Sequence, residues 1–263
     1  MLSLTQFADL AAVLTRWHRA TIWRQFDEAQ RIAEELIVRC KAVVRGSATA
    51  PLPSGEDKNG AVVVGILARG LQGHADVLKL RSSPNWQGTP EAIEATWQAL
   101  CDATARLDYA REFLQHPTLD AARRDLSDVR NEIDSLFGPG LYVSPVMVIE
   151  SFLCSVCGED HRRCPHMVGR LYDGVCCVKV ATRLLRAESV DIVKVPEDPR
   201  CRIWPWNRTD EPPGFKDVCL LTSFRLDDFF ERSAVLQRRL CCARSRQRAV
   251  TSRSRRRRKA RHV

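Results

Sequence analysis

Cys154-Ser-Val-Cys157-Gly-Glu-Asp-His-Arg-Arg-Cys164-Pro-His166 is the stretch on which the reading of this chain turns. It has the form C-x2-C-x6-C-x-H, three sulfurs and an imidazole within thirteen residues. Thiolate and imidazole are the donors that a tetrahedral Zn2+ takes. A free thiol ionises near pH ~8.5, and a divalent cation supplies the charge that holds it ionised at neutral pH. Cys154 and Cys157 reach one ion from a tight turn that Gly158 allows to curl. Cys164 and His166 close the tetrahedron from a second turn, stiffened by Pro165. His161 is the alternative fourth ligand, and His166 is preferred because His161 sits in the polar loop tip Glu-Asp-His-Arg-Arg. Cys176 is a further alternative, although the adjacent pair Cys176 and Cys177 reads first as packing. A site whose four places are all filled by protein builds a fold and leaves no open position for chemistry.

Working outward from the knuckle, the chain before it reads as helical. Ile22, Phe26, Ala29, Ala33, Leu36 and Cys40 step by four and three and draw one apolar stripe, with Leu10, Leu14 and Trp17 forming a shorter one before it. Residues 46–60, rich in Ser, Pro, Gly and Ala, read as a linker-like loop. Ala61 to Leu80 is an apolar helix despite three glycines. Thr89-Pro90-Glu91 is a helix start, with Thr as N-cap and Pro at the first helical position. Thr118 is expected to cap the next helix, buried along Leu119, Ala122, Leu126, Val129, Ile133 and Leu136 and stopped by Gly138-Pro139-Gly140. After Gly140, Val, Ile, Tyr and Cys replace Ala and Leu. Tyr142 to Leu153, Val175 to Val180, Val190 to Val195 and Cys201 to Trp204 are β candidates, and Leu226 to Leu240 returns to helix. Trp204 and Trp206 are expected to pack on the zinc module. The fold class is therefore α+β: a helical bundle over 1–139, a small zinc-stabilised α+β module over 140–243, and a disordered Arg-rich tail over 244–263.

The charge is uneven. The net value is +9, but twelve of the 41 Lys and Arg lie between Arg238 and Val263 with no acid among them, leaving 29 basic against 32 acidic residues elsewhere. The basic character belongs to the tail, and the body is not a basic nucleic-acid surface on charge grounds. Eleven cysteines, no secretory leader and no apolar run of membrane-spanning length lead to the expectation of a reducing, cytoplasmic setting and no membrane.

Residues 144–204 carry further motifs: Gly169-Arg170-x-Tyr172-x-Gly174 after the knuckle, then Glu188 to Val193, then Pro196-x-Asp198-Pro199-Arg200-Cys201-Arg-Ile203. Together these resemble a zinc-knuckle module of uncharacterised bacterial and prophage-associated proteins. The resemblance implies a bacterial intracellular setting and a bound metal. The function expected is that of a non-enzymatic, structural-zinc protein in assembly or recognition, with a protein partner or self-association. One alternative is nucleic-acid binding through Arg255, Arg256, Arg257, Arg258 and Lys259, joined by Arg162, Arg163 and Arg170 at the knuckle. A metal-dependent hydrolase using Asp160 and His161 is the other. The chain lacks H-E-x-x-H, G-x-S-x-G, the P-loop pattern and the zinc-deaminase pattern, so no familiar catalytic constellation supports the last.

Overall fold

Five helices precede a strand-rich region in the computed structural model, which describes residues 3–46, 53–84 and 86–207. The helices are α1 (Leu10–Ile22), α2 (Phe26–Arg45), α3 (Gly55–Arg81), α4 (Pro90–Arg111) and α5 (Pro117–Phe137). The α+β class is as expected. The helix expected over 226–240 and the basic tail lie outside the described residues.

Helix α3 is the centre of the bundle, packed between α2 and α4. It is long and apolar enough on composition to cross a membrane, but most of its apolar stretch is buried inside the protein. Its glycines have a packing reason. A Cβ on Gly73 would stand 3.2 Å from the Cβ of Ala103, and one on Gly70 would stand 2.9 Å from a methyl of Leu107. The two backbones can approach this closely only because those side chains are missing. Trp17, Leu36, Leu67, Trp97, Leu107 and Leu126 are nearly inaccessible and join all five helices into one core.

Three helix boundaries differ from the sequence reading. The stripe from Ile22 to Cys40 does not lie on one helix. α1 ends at Ile22, which is exposed, and Arg24 turns the chain with φ 57 before α2 begins. Arg24 N–H bonds to Thr21 O and Gln25 N–H to Ala20 O, so the helix end is closed by backbone. The loop expected through residue 60 stops early, because Ser54 and Asp57 form a reciprocal capping box and start α3 at Gly55. α5 is capped by His116, whose Nδ1 accepts from Thr118 N–H, and Pro117 fills the first helical place. Leu136, expected in the core, is half exposed in the last turn. Thr89 and Pro90 begin α4, and Gly138 stops α5, both as read.

The strands are β1 (Leu141–Ile149), β2 (Phe152–Cys154), β3 (Leu171–Tyr172), β4 (Val175–Cys176), β5 (Lys179–Ala181), β6 (Leu184–Val193) and β7 (Arg202–Ile203). β1 is the middle of an antiparallel sheet ordered β6-β1-β7. Between β1 and β6 the chain makes an excursion containing the small pairs β2–β5 and β3–β4, and the knuckle sits there.

The sheet is fastened to the helices through Arg202. Its side chain is 1 % exposed and donates to Asp134 Oδ1 (2.6 Å) and to Gly138 O (2.6 Å). The guanidinium carbon lies 4.7 Å from the ring centre of Trp97 and 4.8 Å from that of Trp204. Trp204 also meets Phe137 edge-on, Trp206 stacks on Trp204, and Trp206 Nε1 donates to Glu94. The two tryptophans therefore pack on α4 and α5 rather than on the knuckle. Replacing Arg202 by Met keeps the volume but loses the charge, the hydrogen bonds and the contact with two indoles. The variant should lose on the order of 3 kcal/mol of stability in urea unfolding. A loss below about 1 kcal/mol would show that the clamp is not what holds the sheet.

Candidate metal centre

The knuckle turn is shaped by backbone before any side chain is considered. Cys154 ends β2, and its carbonyl accepts from Gly158 N–H at 2.8 Å while its own N–H donates to Glu159 O at 2.8 Å. Gly158 adopts φ 78, in the left-handed region that favours glycine. This curl brings Cys157 back beside Cys154. The second turn starts at Asp160, whose carbonyl accepts from Arg163 and Cys164 N–H and whose side chain accepts from Arg162 N–H at 2.9 Å. Arg162 also pairs with the Asp160 carboxylate, which holds that acid well below the ordinary carboxylate range.

The four preferred residues come together. The ligand atoms of Cys154, Cys157, Cys164 and His166 all lie within 4.8 Å of one another, and these residues could hold a metal ion. For comparison, bond lengths of ~2.0–2.3 Å set tetrahedral ligands about 3.5–3.8 Å apart. Cys154 is buried, Cys164 and His166 are half-buried, and Cys157 is exposed. His161 stays beside the group, with Nδ1 3.8 Å from Cys164 Sγ, but is not among the four that converge.

Two observations bear on whether the site fits a cation. The first is His166. Its Nδ1 is buried without a hydrogen-bond partner, while its ring stands edge-on to Tyr172 with centres 4.6 Å apart. A buried imidazole nitrogen left this way costs free energy unless something accepts its lone pair or its proton. The second is the crowding of sulfur. Burial opposes ionisation of Cys154, yet the backbone N–H groups of Cys157 and Val156 and the thiols of Cys177 and Cys157 bring it down to about 6. Cys164 is pushed up by burial and by the neighbouring Cys154 and Cys157 sulfurs. The pocket thus favours one thiolate and resists the next, and a divalent cation removes that conflict.

The sequence assigns both Cys176 and Cys177 first to packing and offers Cys176 as the alternative ligand. The geometry reverses their places. Cys177 Sγ lies 3.7 Å from Cys154 Sγ, while Cys176 Sγ lies 3.6 Å from the hydroxyl of Tyr109. Burial, then the contact with Cys154, pushes the Cys177 thiol up to about 12, which favours Cys177 as the proton-bearing partner of the two sulfurs. The backbone fixes this: Cys177 N–H donates to Arg170 O and Cys177 O accepts from Gly169 N–H. The sequence signal was the two-residue alternation at the end of β4, which sends neighbours to opposite sides. Cys40, Cys101 and Cys201 lie elsewhere, and burial pushes their thiols to about 12, 12 and 11, as packed thiols require.

The knuckle is tied to the bundle. Tyr109 on α4 donates to Gly169 O at 3.0 Å. Asn59 on α3 accepts from Gly174 N–H at 2.8 Å, and Lys58 pairs with Asp173. The arginines of the expected tail contact, Arg255, Arg256, Arg257, Arg258 and Lys259, lie outside the described residues. Comparison with protein-family models, with curated proteins and with solved structures finds no match, so the centre is read from its own residues.

A thiol this close to Cys154 would tune that sulfur as a ligand without itself being one of the four. Cys177→Ala should leave a metal-binding protein whose affinity is about tenfold weaker in competition with a chromogenic chelator. An unchanged affinity would remove Cys177 from the site.

Proposed function

We propose that this chain is a structural-zinc protein, whose ion holds the knuckle closed and whose role is assembly or recognition rather than catalysis. The observation that carries it is the buried, unpartnered Nδ1 of His166 beside three convergent sulfurs. Three sulfurs and one imidazole suit Zn2+ in a tetrahedral site, and harder ions prefer oxygen. Cys154, Cys157, Cys164 and His166 would hold it. Bound zinc would supply charge that keeps the thiolates ionised and joins the two turns.

Four protein donors leave no position for a substrate or an activated water, which favours a binding role. Arg162, one of three arginines at the knuckle, is paired with Asp160, which favours a protein partner over phosphate.

Metal analysis of the purified protein should find one zinc per chain, and Cys157→Ser should lose it. Cobalt substitution should give the absorption of a tetrahedral thiolate site. Removing the ion with a strong chelator should unfold the knuckle while far-ultraviolet circular dichroism of the helices persists, because their core does not include the cysteine cluster. Stoichiometric purification with no transition metal, or octahedral cobalt spectra, would refute the zinc reading.

A further inference from the structure

Cys154 has two sulfur neighbours in unlike surroundings. Cys157 is a fellow donor of the candidate site, within 4.8 Å of it, and is exposed. Cys177 lies 3.7 Å from Cys154, is not among the four, and is 0 % exposed. Cys154 itself is buried. A fifth sulfur adds nothing to a coordination sphere that four donors fill. It is, however, in place to bond to the ligand it touches.

The backbone holds this pair together. Ser155, next to Cys154, donates from its hydroxyl to Cys176 O and accepts there from Val178 N–H, each at 2.9 Å, so it brackets Cys177. Ser155 N–H also donates to Val178 O at 3.1 Å, and Cys154 lies opposite Lys179 in the antiparallel β2–β5 pair. Closing the 3.7 Å between the sulfurs to the ~2.0 Å of a disulfide is within the reach of side-chain rotation.

We propose that Cys157, Cys154 and Cys177 form a peroxide-responsive relay that ends in a Cys154–Cys177 disulfide and withdraws Cys154 from the metal site. Exposure sets the order. Of the three, Cys157 is the one that meets solvent, so the oxidant arrives there. The Cys157 thiolate attacks one oxygen of hydrogen peroxide, the O–O bond breaks, and a sulfenic acid forms as hydroxide leaves. The Cys154 thiolate attacks the Cys157 sulfur, the S–O bond breaks, and a second hydroxide leaves. Cys177 then attacks Cys154, the Cys154–Cys157 bond breaks, and Cys157 leaves as thiolate while the Cys177 proton joins one hydroxide as water. Two electrons pass from Cys154 and Cys177 to the peroxide, and Cys157 is returned unchanged. The last exchange runs forward because it leaves charge on the exposed sulfur; its reverse would put charge on a sulfur that water does not reach. With Cys154 engaged, Cys157, Cys164 and His166 are too few to fill a tetrahedral sphere.

This inference rests on the zinc reading for its consequence, release of the ion, but not for the chemistry of the sulfurs. The test treats the full-length protein, purified under reducing conditions and with its metal content measured, with a small excess of hydrogen peroxide. Remaining thiols are alkylated in denaturant, disulfides are mapped by peptide mass spectrometry, and released zinc is followed with a chromogenic indicator. The native protein should lose alkylation at Cys154 and Cys177 together, keep it at Cys157, and release its zinc in step. Dithiothreitol should restore both thiols. Cys177→Ala should stop at the Cys154–Cys157 disulfide, and Cys176→Ala should behave as native. A native protein that ends at Cys154–Cys157 overturns the proposal, as does one in which Cys176 takes the place of Cys177. A Cys154–Cys177 bond formed in protein purified without metal would sink the zinc reading and leave this one standing; zinc-loaded protein whose Cys177 stays fully alkylated would do the reverse.

Discussion

A guanidinium can be buried only if its charge and its N–H donors are answered. Arg202 meets that condition by gathering groups from otherwise separate parts of the chain. Asp134 and the carbonyl of Gly138 come from the end of α5, Trp97 from α4, and Trp204 from the segment that follows β7. Arg202 itself lies opposite Tyr142 in the sheet. β7 pairs with β1 beside it, and the Tyr142 and Val193 end of the sheet packs on the helical core. Two further hydrogen bonds hold the approach to it: Trp97 Nε1 to Pro199 O at 2.8 Å, and Arg200 to Asp102 at 2.9 Å. The position of the sheet therefore depends on polar groups satisfied at low exposure, and the apolar packing of Trp204, Trp206 and Phe137 closes around them.

The knuckle is placed by a second set of contacts that do not involve Arg202. Asn59 and Lys58 at the start of α3 hold the β3–β4 hairpin, and Tyr109 holds Gly169. Asn59 is itself available because the Ser54–Asp57 capping box begins the helix early, and the same Asp57 accepts from Ser3 near the N-terminus. The geometry of three sulfurs and one imidazole is thus set partly by groups far from it in sequence. Ser155 adds a local lock, donating to Cys176 O and accepting from Val178 N–H, each at 2.9 Å. A rigid shell of this kind would lower the ordering cost of binding an ion.

The legible part of the chain was the part written in short range. The spacing C-x2-C-x6-C-x-H is local, and the four residues it named are the four that converge. The stripe of α5 was equally plain because Leu119, Ala122, Leu126, Val129 and Ile133 along it are all buried. The errors arose where tertiary contacts decide. A stripe drawn from Ile22 through Cys40 keeps a helical period across a real break, since period cannot reveal that Arg24 turns the chain. A Ser, Pro and Gly composition hid the capping box, whose second half is Asp57. Cys177 was invisible as a partner because its approach to Cys154 depends on bonds from Gly169 and Arg170, eight and seven residues away. The length of β6 was underestimated because Arg186, Glu188 and Asp191 interrupt its apolar pattern, and the register shifts that step over Leu185 and Glu188 are not written in the strand alone.

Those shifts change what the sheet can do. Without them, Glu188 would fall at a paired position and one face would carry an acid at its middle. With them, the face of β1 that carries Leu141, Val143, Pro145, Met147 and Ile149 stays apolar, while Arg186 and Asp191 stand opposite Val148 and Ser144 on the other face. An edge strand with so little protection is a hazard for a free monomer, and proteins usually blunt such edges with charge or cover. Here the bulges supply some of that protection by bending the edge, and Arg186, Glu188 and Asp191 place charge along it. Both features oppose indiscriminate strand addition, yet neither covers the apolar face itself.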